Sequence, residues 1–303
     1  MHNRPVAEVL HDPAVPVAQR RNLRALLLAK RFGVGRYGMV EGADLYRTWY
    51  DTGGGPVAWN VSAAHKDRFE ARTWWFPIVG TVPYLGFFHE ADATALADDL
   101  ADTEDLDVLK RGVGAYSTLG WFDDPVFSSA LDGDAFDTVN LVLHEMAHAV
   151  VFFPGHVRWN ENFATLVGHR GVAAFFADRH GPDSPQAIRA RLRLQSAHLA
   201  GGILDEVVVE LEALYGSPRS RGDKLRLREE IFRRGKDRLR AHADETPLTR
   251  RFVTRQWNNA VFMSWRRYRG GQAELEAILD GRFGGDMKAF LSWLRTLPAP
   301  PGG

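Results

Sequence analysis

The sequence predicts an α+β fold: a mixed sheet in the N-terminal part, a buried helix bearing the pattern H-E-x-x-H, and a mainly helical C-terminal part. Three observations carry that expectation. Between residues 45 and 90, turn residues alternate with aromatic and β-branched runs, the pattern of short strands. Residues 137–164 read DTVNLVLHEMAHAVVFFPGHVRWNENFA, and around His144-Glu145-Met146-Ala147-His148 the apolar Val139, Val142, Leu143, Met146 and Val150 recur at helical spacing. From Pro185 onward, apolar residues recur every three or four positions among arginines and glutamates, which reads as solvated helix. A chain of 303 residues can form one large domain or two packed lobes. We read one domain over 1–303, with a sheet lobe near 33–157 that includes the H-E-x-x-H helix and a helical lobe near 158–300.

Composition excludes several function classes. Hydrophobic content of 45% and charged content of 25% are ordinary for a globular chain. The formal net charge is zero, so no bulk field draws the chain to nucleic acid or to an anionic membrane. No apolar run reaches membrane-spanning length. There are no cysteines, hence no disulfides and no thiolate zinc site. The best N-terminal apolar run, 23–29, is short, interrupted by Arg24 and followed by Lys30 and Arg31, unlike a secretory signal. A cytoplasmic protein is expected. Oligomeric state has no signature here.

Taken in order, residues 17–31 form an amphipathic helix, with Leu23, Leu26 and Leu27 on one side and arginines on the other. Gly33-Val34-Gly35-Arg36-Tyr37-Gly38 matches a glycine-rich phosphate loop, but no strand precedes it, no lysine strand follows and no H-R-D or D-F-G triplet exists; nucleotide binding is rejected and a plain loop expected. Residues 57–63, 72–79 and 81–88 read as strands, with Trp49, Trp59, Trp74 and Trp75 as sheet packing. Residues 91–100 read as a helix with Asp98 and Asp99 in solvent. Asp134 or Asp137 can cap the H-E-x-x-H helix, and Pro154-Gly155 stops it. Further helices are expected at 171–179, over 185–243 with a bend at Gly201-Gly202 and a turn near 215–218, at 252–268 and at 286–297.

The chemistry concentrates in 137–164. Residues four apart on a helix share a face, so His144 and His148 can offer two imidazole nitrogens to one metal ion. Glu145 is adjacent and can reach a water at that ion. Thirteen positions after His148, Glu161 stands in Trp159-Asn160-Glu161-Asn162-Phe163-Ala164, where a second helix can return a carboxylate as third ligand. Three protein ligands with one open position is the pattern of a catalytic zinc site.

H-E-x-x-H followed by W-N-E-x-F-A resembles the zincin metallopeptidases whose third ligand is a glutamate. The sequence is more closely similar to a bacterial family of predicted zinc aminopeptidases. Trp59-Asn60-Val61, Phe76-Pro77-Ile78-Val79-Gly80, Ala115-Tyr116-Ser117-Thr118-Leu119-Gly120-Trp121-Phe122 with Asp124-Pro125, and Trp257-Asn258-Asn259-Ala260 match that family's blocks in order. The resemblance implies a zincin-like fold, one Zn²⁺ per chain and peptide substrates. It also implies that Tyr116, Ser117, Thr118, Leu119 and Gly120 form the cleft strand that pairs with substrate backbone. Tyr268, on the helix expected to hold Asn258-Asn259, is the choice for stabilising the carbonyl oxygen, with Tyr116 and Tyr84 as rivals. Glu90 and Asp124 are the candidates for binding a substrate's α-ammonium. Relatives differ in three places: they carry cysteines where this chain has Trp75 and Thr81, a glutamate where it has Gly168, and often an export signal.

The expected reaction is peptide hydrolysis, with Glu145 moving the proton from water to the leaving amine. The aminopeptidase part comes from the resemblance alone. A zincin-fold binding or regulatory protein with little turnover is the alternative: Gly168 favours it and Glu145 weighs against it.

Overall fold

The computed structural model describes residues 3–39, 46–77, 80–113, 125–242, 247–269 and 272–301, apart from the side chains of 247, 248, 268 and 269. In chain order its elements are β1 (Arg4–Pro5), α1 (Val6–Val9), α2 (Val17–Tyr37), β2 (Thr48–Tyr50), β3 (Ala58–Ala64), β4 (Trp74–Phe76), β5 (Gly80–Val82), β6 (Leu85–Phe87), α3 (Glu90–Asp102), β7 (Asp107–Val113) and β8 (Val126–Phe127). A 3-10 turn at Ser128–Leu131 precedes α4 (Ala135–Val150), α5 (Val157–His180), α6 (Pro185–Gly216), α7 (Arg221–Arg240), α8 (Pro247–Thr254), α9 (Asn259–Arg269), α10 (Gln272–Phe283) and α11 (Met287–Leu294). The protein is therefore α+β, mostly helical, with small sheets and a helical C-terminal part. No described helix is long and apolar enough to cross a membrane.

The chain divides into two compact units, each assembled from separate stretches. The first takes Met1–Val57, Gly114–Ala190 and Arg267–Gly303; the second takes Ala58–Val113 and Arg191–Arg266.

In the first unit α2, α4 and α5 pack around a core that includes Leu23, Leu26, Leu143, Met146, Phe163 and Phe290. Burying side chains of this size contributes roughly 1.5–3 kcal/mol each. A small sheet runs β1-β2-β8, antiparallel between β1 and β2 and parallel between β2 and β8. The glycine-rich stretch expected as a loop is helical: α2 continues to Tyr37, and Gly38, at φ 65°, ends it in the left-handed conformation. The reason is tertiary. A Cβ on Gly33 would stand 2.9 Å from Met146 Cε and 3.0 Å from Met39 Sδ, so the glycine lets α2 lie against α4 without displacing these methionine ends.

In the second unit β6-β3-β7 form an antiparallel sheet, with Asn60 opposite Gly86 on one side and Arg111 on the other. Helix α3 packs on it through Ala93 and Leu100 against Val61, Ala63 and Leu106. Strands β4 and β5 make a separate pair in which Trp75 and Thr81 are Cα partners. Trp75 is not sheet packing as expected; it is 70% exposed. The helix expected over 252–268 is two helices, because Trp257 and Asn258 break it. Trp257 Nε1 donates to the Phe252 carbonyl at 2.8 Å. Asn258 Oδ1 accepts from the Val261 amide at 3.0 Å, the satisfaction a new helix start requires. The short helix expected at 171–179 is the end of the 24-residue α5.

A candidate metal centre on two helices

Helix α4 is fixed before it presents any ligand. Asp134 Oδ1 accepts from the amides of Phe136 (2.9 Å) and Asp137 (3.1 Å), and the Asp137 carboxylate returns to the Asp134 amide. That capping box satisfies orphan donors at the helix start. Asn22, fully buried on α2, donates to the carbonyls of Leu131 (2.8 Å) and Gly133 (2.7 Å) just upstream. The apolar faces of α4 then bury Val139, Val142, Leu143, Met146 and Ala147, which leaves His144 and His148 one turn apart on the remaining face.

The W-N-E-N-F-A stretch starts α5, and each residue has a separate task. Trp159 stacks on Phe163 (5.2 Å between centroids, 17° between planes) and meets Phe153 edge-on at 4.9 Å. Asn160, buried, clamps the connection from α4: its Oδ1 accepts from the Phe153 amide and its Nδ2 donates to the Phe153 carbonyl, both at 2.9 Å. Asn162 Nδ2 donates to the Arg158 carbonyl at 2.8 Å. Phe163 and Ala164 are fully buried. Glu161 is half-buried between these anchors and faces the histidines.

Glycines set the distance between the two helices. A Cβ on Gly168 would lie 2.6 Å from Asn140 Oδ1, and one on Gly171 would lie 2.5 Å from Leu143 Cδ1. Gly168 thus occupies a position where a side chain would press on the Asn140 side chain and carbonyl. The Asn140 Oδ1 beside it is buried without a hydrogen-bond partner among the described residues.

The result is a compact donor set. His144 Nε2 and His148 Nε2 are 3.3 Å apart, with the rings nearly perpendicular at 83°. Glu161 Oε2 lies 3.6 Å from His144 Nε2, and Glu161 Oε1 lies 3.8 Å from His148 Nε2. Among the described residues, these three are the group whose ligand atoms all lie within 4.8 Å of one another and can hold a metal ion. Donors at about 2.0–2.1 Å from a tetrahedral zinc sit roughly 3.3 Å from each other, so the spacing fits with little movement. Two imidazoles and one carboxylate, without thiolate, is also the donor chemistry of a catalytic rather than a structural site. Burial, and then the neighbouring His144, pushes His148 down to about 4, while Glu161 pulls the other way. The ring is therefore neutral at pH 7 and has a lone pair to give. His148 Nδ1 is buried with no hydrogen-bond partner among the described residues.

Glu145 follows His144 on α4 and is half-buried. Tyr116, Ser117, Thr118, Leu119, Gly120 and Asp124 lie outside the described residues, as does the Tyr268 side chain, whose backbone belongs to α9. Tyr84 is 42% exposed in the second unit. Glu90 accepts from Lys110 Nζ at 3.0 Å. Asn258 and Asn259, the reason for choosing Tyr268, are structural: Asn258 Nδ2 donates to the Val108 carbonyl at 2.9 Å, and the Asn259 amide donates to Asp107 at 2.8 Å. Sequence reasoning missed the clamp made by Asn160 and the glycine contacts of α5. The first had a signal in the polar residue at an otherwise apolar position, the second in two glycines one turn apart inside a helix.

A family model described as "Putative aminopeptidase" matches residues 1–301. No curated protein and no solved structure matches the chain.

Proposed function

The chain belongs to that aminopeptidase family, and from this premise we propose that it is a zinc-dependent peptidase of zincin-like fold that removes residues from the free N-terminus of peptides. The observation that carries the reading is the convergence of His144, His148 and Glu161 from two helices, with donor atoms 3.3, 3.6 and 3.8 Å apart. These residues would hold one Zn²⁺ per chain. Bound there, the ion supplies Lewis acidity, which acidifies water and polarises a carbonyl.

The chain's own residues do the rest. Glu145 takes a proton from the attacking water on its carboxylate and delivers it to the leaving nitrogen as the C–N bond breaks. Water is thereby divided between a new carboxyl group and a new amine. Tyr268 donates its phenol hydrogen to the carbonyl oxygen as negative charge grows there. The stretch Tyr116 to Gly120 pairs with the backbone of an extended substrate.

Metal analysis of untagged protein, with peptide cleavage measured in parallel, tests this. One zinc per chain is expected, with cleavage of peptides bearing a free N-terminus, little cleavage of their acetylated forms, and loss of both metal and turnover on chelation. Equal cleavage of free and acetylated peptides removes the aminopeptidase part. Bound zinc without turnover on a broad peptide library favours a binding or regulatory protein instead.

A further inference from the structure

The second compact unit contains a cavity of about 510 Å³ that the metal centre does not use, a size suited to a small ligand. Its lining is one-sided in charge. Helix α7 presents Arg233, Lys236 and Arg240 to it at intervals of three and four residues, one face of the helix, and Lys66 joins them.

The carboxylates on this lining, Asp107 and Glu229, are already committed. Asp107 takes both Arg228 Nη1 (2.7 Å) and Nη2 (3.2 Å) as well as the Asn259 amide (2.8 Å). Glu229 accepts from Arg228 Nε at 3.1 Å. Two acids therefore answer the one Arg228 guanidinium. Asp237 is divided between Arg233 (3.3 Å) and Arg240 (2.6 Å). Asp105 is divided between Lys66 and Arg221. Lys236 is in no ion pair among the described residues; the Trp257 ring lies 5.8 Å from its Nζ, measured to the centroid. Burial, and then the Arg240 guanidinium, holds Lys236 below the usual lysine range, with the Glu229 carboxylate pulling the other way. An ammonium beside a guanidinium, itself in no ion pair among the described residues, is a position that a bound anion would stabilise.

We propose that this cavity binds a small, extended oxyanion carrying at least two negative charges, with Lys236 as its central contact and Arg233 and Arg240 on either side. The three cations span seven residues, about 10 Å along the helix, which matches an oligophosphate or a short acidic peptide better than a compact ion. Charge-assisted contacts of this kind weaken with salt.

Calorimetric titration of the full chain with tripolyphosphate, tri-glutamate and orthophosphate tests the proposal and separates a phosphate from a carboxylate ligand. At least one of the two extended polyanions is expected to bind, at least tenfold tighter than orthophosphate, with affinity falling as salt rises. Lys236→Met keeps the apolar stem on Trp257 and removes the charge; it is expected to lower affinity about tenfold with unchanged melting. Arg36→Ala, in a separate basic cavity lined by Phe32 and Phe175, is expected to leave binding intact. Failure of both polyanions to bind at millimolar concentration overturns the proposal, and so does binding that survives Lys236→Met or that is lost with Arg36→Ala. Because binding is read directly and none of these residues belongs to the metal centre, neither result bears on the peptidase reading.

Discussion

Two stretches begin alike and end differently. In Trp159-Asn160-Glu161 and in Trp257-Asn258-Asn259, an aromatic ring packs into the core of its unit and the asparagine beside it ties down backbone, the nearby Phe153 in one case and the distant Val108 in the other. The third residue separates them. Asn259 enters a network in which the polar groups answer one another: its side chain accepts from Tyr215 OH at 2.8 Å and donates to the His65 carbonyl at 2.8 Å, and its amide meets an Asp107 that is forked to Arg228. Glu161 instead meets two imidazole nitrogens that already face each other, one on a ring that burial keeps neutral. A network whose members answer one another acts as a rivet; a set of converging donor atoms is a group that could hold a cation. The comparison teaches that a shared scaffold motif does not by itself mark a site, whereas the donor atoms that converge on the residue it presents do.

Four experiments can break or sharpen that contrast. The largest effect is expected from Glu145→Gln, which should lower kcat roughly 10²- to 10⁴-fold while metal content and melting temperature hold, as befits a proton carrier. Steady-state kinetics with metal analysis checks it, and wild-type turnover would remove Glu145 from the mechanism. Next, Asp107→Ala should destabilise the protein by about 3–5 kcal/mol in denaturant unfolding, because it leaves Arg228 buried without its fork partner; the folded fraction should still take up one metal per chain. A loss below about 1 kcal/mol would show that the network is no rivet.

The pH dependence of the metal-free protein is third. His148 binds its proton near 6.5 when unfolded and near 4 when folded, so the unfolded state holds more protons between those values. Stability is therefore complete above pH 6.5, falls as pH drops toward 4 and levels off below it, by ~3 kcal/mol in all. Unfolding curves of wild type and His148→Gln should diverge over that window and over no other. The smallest effects come from two helix glycines. Gly171→Ala forces a methyl to within 2.5 Å of Leu143 Cδ1, and should cost ~1–3 kcal/mol and weaken metal affinity by parting α5 from α4. Gly202→Ala, with nothing within 4 Å of its new methyl, should stabilise α6 by about 1 kcal/mol.

Local pattern made much of this legible. The capping box at Asp134 and Asp137, the helical register of His144 and His148, and the helix start near Trp159 all depend on residues within a turn or two of each other, and they lie in the structure as the sequence indicates. The α+β character and the positions of β3 and α3 were readable for the same reason. The short pairing of β2 with β8 was not, since three residues and two residues carry no periodicity of their own.

What the sequence determined by itself is which side chains share a helix face and where a helix can begin, because propensity, capping and hydrophobic period act over a few residues. Only the tertiary structure decided that Gly33 lies within a helix that Gly38 ends rather than in a plain loop, that Gly168 and Gly171 let α5 lie against α4, and that Asp107 serves Arg228 while Lys236 is in no ion pair among the described residues. Those outcomes depend on van der Waals contact and charge pairing between residues tens to more than a hundred positions apart, and such distances exist only once the chain has packed.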